Sequence, residues 1–145
     1  MTIRLFLLFL MWIFYKGVHF SPFGMLFKNL KIEGENVSIG ANTYFGLRNR
    51  VTMKGNNQIA PNCAILTRSS IDGKVGDIVI EDGACIGANS VILPGVVVGR
   101  NSIIGAGAVV TFGTKIPSGE IWVGVPAKFK KKRSTDMIAM ITWDD

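Results

Sequence analysis

The sequence predicts an all-β chain wound as a parallel β-helix of hexapeptide repeats, a prism with three flat faces. Three observations predict it. Aliphatic residues recur every six positions at Ile80, Ile86, Ile92, Val98, Ile104, Val110 and Ile116. Four places after each of the first six stands a small or β-branched residue: Ala84, Ser90, Val96, Ser102, Ala108 and Thr114. Glycine follows the aliphatic residue in IGANSV, VGRNSI and IGAGAV. A helix would space apolar residues by three and four, and an amphipathic strand by two, so neither explains a period of six. A short strand followed by a corner does. The aliphatic side chain points at the axis and the small residue sits where the interior narrows. Glycine or asparagine at the corner takes backbone angles with φ > 0. Coils stacked at about 4.8 Å then pile Ile and Val into columns.

The same phase is read upstream at Ile39, Phe45 and Val51, then at Ile59, Ile65 and Ile71. Its slips predict loops. Eight residues from Val51 to Ile59 put two extra at 55–58, and nine from Ile71 to Ile80 put three extra within 72–77. A loop leaving a rigid scaffold at a corner is where function collects.

A length of 145 residues fits one compact unit, read as an apolar segment 1–31, a repeat domain 32–127 and a basic tail with a short helix 128–145. Seventeen glycines with five prolines and 48% apolar residues exclude a disordered Gly/Pro chain. Cys63 and Cys85 form neither a CxxC pair nor a disulfide framework, which suits a reducing compartment. His19 is the one histidine, so a three-histidine metal site cannot be built and no metal is expected.

Residues 5–15 read LFLLFLMWIFY between Arg4 and Lys16, too short a run to cross a bilayer, which takes roughly 20 residues. Three readings stay open: an interfacial anchor with Trp12, Tyr15 and Lys16 at the headgroups, a hydrophobic cap or subunit contact, or a cleaved signal. Pro22 and Gly24 oppose an unbroken helix through residue 27. At the other end, Ser134 can cap a helix carrying Met137, Ile138, Met140, Ile141 and Trp143. The run Lys128, Lys130, Lys131, Lys132 and Arg133 reads as a solvated tail or a contact for anionic lipid. No nucleic-acid partner is expected, because one short basic run has no accompanying fold of that kind.

The segment IGANSVILPGVVVGRNSIIGAGAVVT and the ending GVPAKFKKK resemble the left-handed β-helix acyltransferases with hexapeptide repeats. The nearest likeness is to the maltose, galactoside and polysaccharide O-acetyltransferase group, over about residues 32–133. This resemblance implies a left-handed coil, a homotrimer, and acetyl-CoA in the groove between neighbouring prisms. The implied reaction moves an acetyl group from acetyl-CoA to a hydroxyl of a saccharide or polysaccharide intermediate. It places Ala88, Ala106 and Thr111 against the pantetheine arm, and Lys128 and Lys131 at the CoA phosphates. Plain coil building is the alternative for the small residues.

Two departures from that group matter. Phe112 follows Thr111 where the family has a lysine, and Lys115 in VVTFGTKIP is expected to stand in for it. The longer segment looks more like the γ-carbonic-anhydrase-like branch, whose three metal-binding histidines are absent here. The family's catalytic histidine aligns with Ser70 in ILTRSSID, and a serine hydroxyl is no general base near neutral pH. Asp72 is the expected base for direct transfer, with Asp77 and Glu81 as other carboxylates. Ser70 as an acyl-enzyme nucleophile ranks second, for want of an activating base. Arg68 could orient an anionic acceptor group, and Cys85 lines the cofactor tunnel. The expected location is the cytoplasm, with peripheral contact at the membrane face through residues 5–27 and an acceptor assembled there. A non-catalytic assembly subunit and an N-acetyltransferase on an amino sugar are the alternatives.

Overall fold

The computed structural model describes residues 19–20, 29–46 and 48–134. The expected anchor or cap in residues 5–15 and the helix after Ser134 lie outside the described residues. Among the described residues no helix is long and apolar enough to cross a membrane.

Short strands follow one another along the chain: β1 (His19–Phe20), β2 (Leu30–Ile32), β3 (Ser38–Ile39), β4 (Tyr44–Gly46), β5 (Val51–Met53), β6 (Gln58–Ile59), β7 (Ala64–Leu66) and β8 (Ile78–Ile80). Then come β9 (Cys85–Ile86), β10 (Val91–Ile92), β11 (Val97–Val98), β12 (Ile103–Ile104), β13 (Val109–Val110), β14 (Lys115–Ile116), β15 (Glu120–Val123) and β16 (Lys128–Lys132). Every third strand from β3 to β15 pairs in parallel, which makes three sheets. Sheet A runs β1-β3-β6-β9-β12-β15-β16, sheet B runs β14-β11-β8-β5-β2, and sheet C runs β13-β10-β7-β4. The chain passes from A to C to B and back to A, so the fold is the expected β-helix. Its corners are A/C, C/B and B/A.

The interior is three columns, one per sheet. Ile39, Ile59, Ile86 and Ile104 fill the first, Phe45, Ile65, Ile92 and Val110 the second, and Met53, Ile80, Val98 and Ile116 the third, all buried. Apart from half-buried Thr114, the small residues before each strand from β9 to β14 are also buried, and their polar atoms are satisfied by corner carbonyls. Ser90 Oγ donates to Gly87 O at 2.7 Å and Gly105 O at 3.0 Å, and Ser102 Oγ donates to Pro117 O at 2.7 Å. A short hydroxyl reaches these carbonyls where a longer polar side chain would not fit, so burying it costs little.

Two phase assignments are corrected. Met53, not Val51, stands opposite Ile80, so the spacing from Met53 to Ile59 is the regular six. The two extra residues therefore lie at 46–50, ahead of β5, and not at 55–58. Ile71 belongs to no column, being 97% exposed. The step from Ile65 to Ile80 is fifteen residues, nine more than a hexad, and the surplus forms a hairpin. Arg68 and Val75 bridge in antiparallel fashion, Ser69 N–H donates to Lys74 O at 2.8 Å, and Gly76 N–H to Thr67 O at 3.0 Å. Spacing alone could not separate a column residue from one that falls on the count by chance. Both insertions leave the rod at the C/B corner.

The divisions at 31/32 and 127/128 also differ from the structure. β1 pairs with β3 and β2 with β5, so strands from the expected head segment join the prism. The basic run is no tail: β16 folds back antiparallel on β15 after a turn at 124–127. The last coil leaves an open backbone edge, and Gly124 (φ 95) lets the chain reverse to cover it. Exposed lysines on the new edge deter pairing with another chain. Arg133 closes the end, its Nη1 donating to Asn101 O at 3.1 Å and Gly83 O at 3.4 Å across two coils.

Corner packing gives a paired test. A Cβ on Gly87 would lie 2.5 Å from the Ala106 nitrogen, so Gly87→Ala is expected to cost more than about 2 kcal/mol. Gly107 (φ 70) has open space around its Cβ position and shares its corner with Asn42, Asn62 and Asn89 (φ 59, 61 and 59). Gly107→Asn should change stability by less than about 0.5 kcal/mol. Urea denaturation of the two variants checks both values.

Candidate functional site

The expected site residues fall into two groups on the edges of sheet C, with one outlier. Ala88 and Ala106 stack at the A/C corner, where Gly107 N–H donates to Ala88 O at 2.8 Å. Neither carries a side chain beyond Cβ, so a strip of backbone lies open there. Lys128 pairs with Val123 at the same end of β15, and the turn at 124–127 brings Ala127 N–H to Val109 O at 2.8 Å. Lys128 therefore belongs with the two alanines. Lys131, opposite Ile121, lies further along β16.

Thr111, Lys115, Ser70 and Asp72 gather at the C/B corner instead. Thr114 Oγ1 donates to Thr111 O at 2.8 Å, which ties the turn after β13. Lys115 Nζ donates to Gly95 O one coil away at 3.0 Å. Phe112 is half exposed and lies across Gly95: a Cβ there would stand 3.8 Å from the Phe112 Cε2 atom. The hairpin leans over this corner, with Lys74 Nζ 5.2 Å from the centre of the Phe112 ring. Lys74 also pairs with Asp72 Oδ2 at 3.0 Å.

The two insertions brace each other. Thr67, fully buried, donates to Gly46 O at 2.5 Å and accepts from Asn49 N–H at 2.9 Å. Arg50 N–H donates to Asp77 Oδ1 at 3.0 Å, so the Asp77 carboxylate is used to hold the loops together. Glu81 sits past β8 toward the B/A corner, away from the hairpin turn.

The surroundings of Asp72 make it a weaker base than a free carboxylate. A hydrogen bond from the Ser69 side chain, then one from Lys74, lower its pKa to about 2. A carboxylate so well held as an anion takes a proton poorly near neutral pH. The cause lies three residues before Asp72 and two after it, in Ser69 and Lys74. Ser70 is exposed on the same turn, and the one histidine of the chain lies in β1, the outer strand of sheet A. Burial pushes the Cys85 thiol up against the opposing influence of Arg133, so it is protonated near neutrality and not a poised nucleophile. Lys74 and Phe112 are the residues that sequence reasoning missed as partners. They stand far apart in the chain and share no period.

With this geometry in place, comparison with known proteins is informative. Residues 77–111 match the family model described as bacterial transferase hexapeptide (six repeats). A variant of AntD, an N-acyltransferase from Bacillus cereus in complex with dTDP-4-amino-4,6-dideoxyglucose and coenzyme A, is similar at 24% identity. That match covers 77% of this chain and 68% of AntD, with a TM-score of 0.67. The polySia-specific acetyltransferase NeuO is 29% identical over 72% of this chain, with a TM-score of 0.64. The chain spans about half of NeuO, 51% of its length. A hexapeptide-repeat acetyltransferase from Vibrio cholerae O1 biovar eltor, complexed with acetyl coenzyme A, is 22% identical over 92% of this chain and 80% of its own, with a TM-score of 0.69. No curated protein sequence matches the chain. The rod thus has the β-helix fold of these solved structures. More particularly, residues 77–111 carry the hexapeptide repeat that this family model describes, as the sequence resemblance implied.

The titration of Asp72 is directly testable. Because its pKa is depressed, its braces are intact above the ordinary value of 3.8 and are lost only as pH falls through about 2. A carbon-13 NMR titration should find its midpoint well below 3.8, and Ser69→Ala or Lys74→Met should each move that midpoint upward.

Proposed function

We propose that the protein is a CoA-dependent acyltransferase that moves an acetyl group from acetyl-CoA to a saccharide. One observation carries the reading. The open backbone strip at Ala88 and Ala106, ending beside Lys128, suits a thin, amide-rich arm with a phosphate at its end. Complexes of AntD and the Vibrio cholerae acetyltransferase with coenzyme A or its acetyl form support the choice of carrier. In the reaction, an acceptor hydroxyl attacks the thioester carbonyl carbon. An ester bond forms as the carbon–sulfur bond breaks, and the hydroxyl proton ends on the CoA thiol. Thr111 and Lys115 take the carrier from the C/B side, and Lys131 takes a phosphate. Ser70 and Asp72 on the hairpin contact the acceptor, Asp72 accepting a hydrogen bond instead of a proton.

One observation favours a second acceptor, an amine of an amino sugar. The corner lacks a strong base among its described residues, and Asp72 is held low. A hydroxyl needs a base to make it nucleophilic, whereas an amine is partly unprotonated in neutral water. AntD is itself an N-acyltransferase.

The outer face of sheet C supports a homotrimer. Ala64, Leu66, Val91, Leu93 and Val109 alternate with the buried column, leaving an apolar face that a second prism would cover. The proposed location is the cytoplasmic membrane face, supported by the apolar run at 5–15 and the exposed lysines of β16.

Calorimetry of the full chain with acetyl-CoA tests the reading. Heat of binding is expected, and Ala106→Trp, which fills the strip, should weaken it at least tenfold. No heat at high protein concentration would return the protein to the role of an assembly subunit. With matched hydroxyl and amino sugars, the amine rate should climb with pH up to the amine's own pKa. Asp72→Asn should lower kcat by less than tenfold, since losing a true general base costs roughly 10² to 10⁴.

A further inference from the structure

The ring of Phe112 sits where nothing in the repeat requires an aromatic. It is 47% exposed, so burial does not explain it. One side of it lies over Gly95, a corner residue with φ 76 whose added Cβ would stand in ordinary contact with the ring at 3.8 Å. Over it stands the Lys74 ammonium, 5.2 Å from the ring centre and paired with Asp72 at 3.0 Å. Lys74 belongs to a hairpin that leaves the rod two coils earlier, about 10 Å along the axis. The contact is therefore long in sequence and spans two coils. It sits among the groups at this corner: Thr111 precedes the ring, Lys115 donates to the carbonyl of Gly95, and Asp72 pairs with the ammonium.

We propose that Phe112 is the seat of the hairpin, a positioning residue that fixes Ser70 and Asp72 relative to Thr111 through the Lys74 ammonium over its ring. This deepens the acyltransferase reading and rests on it for its catalytic meaning. The physical basis is the attraction of a cation to the negative face of an aromatic ring, favourable even in a partly exposed site. Backbone bonds within the hairpin set its shape. They do not set its angle to the rod, since the bridge at Arg68 and Val75 and the Ser69-to-Lys74 bond are both internal to it. Thr67 and Asp77 brace its foot against residues 46–50, and the ring supplies a fixed point outside nearer its tip.

Amide hydrogen exchange of the full chain tests the seat without any assay of activity. The reporter is Ser69 N–H, bonded to Lys74 O, and the control is Val97 N–H, bonded to Thr114 O on the rod. Phe112→Leu keeps an apolar side chain but removes the ring. It should speed exchange at Ser69 by roughly two- to fivefold, the range an exposed cation–π contact implies, with Val97 unchanged. Lys74→Met should do the same, whereas Phe112→Trp and Lys74→Arg should keep the parent rate. Equal exchange at Ser69 in parent and Phe112→Leu, or a Phe112→Trp rate as fast as that of Phe112→Leu, would overturn the seat.

Kinetics test the positioning role. Phe112→Leu should raise the acceptor KM several-fold while leaving the KM for acetyl-CoA within twofold, with Trp restoring both. An acceptor KM unmoved by Phe112→Leu overturns the positioning role. Absence of any transfer by the parent chain sinks the acyltransferase reading instead, and the exchange result then decides the seat by itself.

Discussion

Everything in this rod depends on parallel coils stacking in register, backbone on backbone, at each of three corners. Val91 N–H reaches Ala108 O, Cys85 N–H reaches Ser102 O, and Val97 N–H reaches Thr114 O, each spanning one coil. Once that stacking is imposed, a residue's neighbour above and below is the residue eighteen places away. Like must then fit like. Columns of Ile and Val follow, as do corners where glycine or asparagine often takes positive φ. Gly76 shows the strictness: a Cβ there would come within 2.7 Å of the Gly95 nitrogen.

Such a lattice offers few places where chain can be added. Both insertions use the C/B corner, and each makes the other tolerable. Buried Thr67 ties the 46–50 segment to the foot of the hairpin, and Asp77 receives Arg50 N–H. Their polar backbone is thereby satisfied without disturbing the columns. The same corner then carries most of the chain's unusual chemistry, because elsewhere the repeat leaves no freedom for it. The A/C corner contributes the opposite quality, an uncluttered strip made by Ala88 and Ala106.

How much of this the sequence revealed follows from what a period can encode. Ile80 to Ile116 hold the phase without a break, and the structure buries every one of them. Val51 and Ile71 fell on the count although neither holds the column position. Period identifies columns only where no residue has been inserted. The lysines of β16 looked like a tail because their pairing partner is fixed by the end of the rod, which has no periodic signature. Asp72 was expected as base because it lies in the loop just after Ser70, while its acidity depends on Ser69 and Lys74. The contact of Lys74 with Phe112 joins residues that only the three-dimensional stacking brings together. Ala88 and Ala106 were placed by the family resemblance, and the structure stacks them at one corner.

The reversal of β16 has one further consequence. A solenoid of identical coils has no intrinsic reason to stop, and two such rods could dock end to end as if one continued the other. At this end an incoming coil would meet a strand of opposite polarity, crowned by four like charges in five residues. Its hydrogen-bonding pattern and its electrostatics both refuse continuation. The C-terminal reversal thus works as a terminator against filament growth, keeping a shape built for endless addition at a finite length.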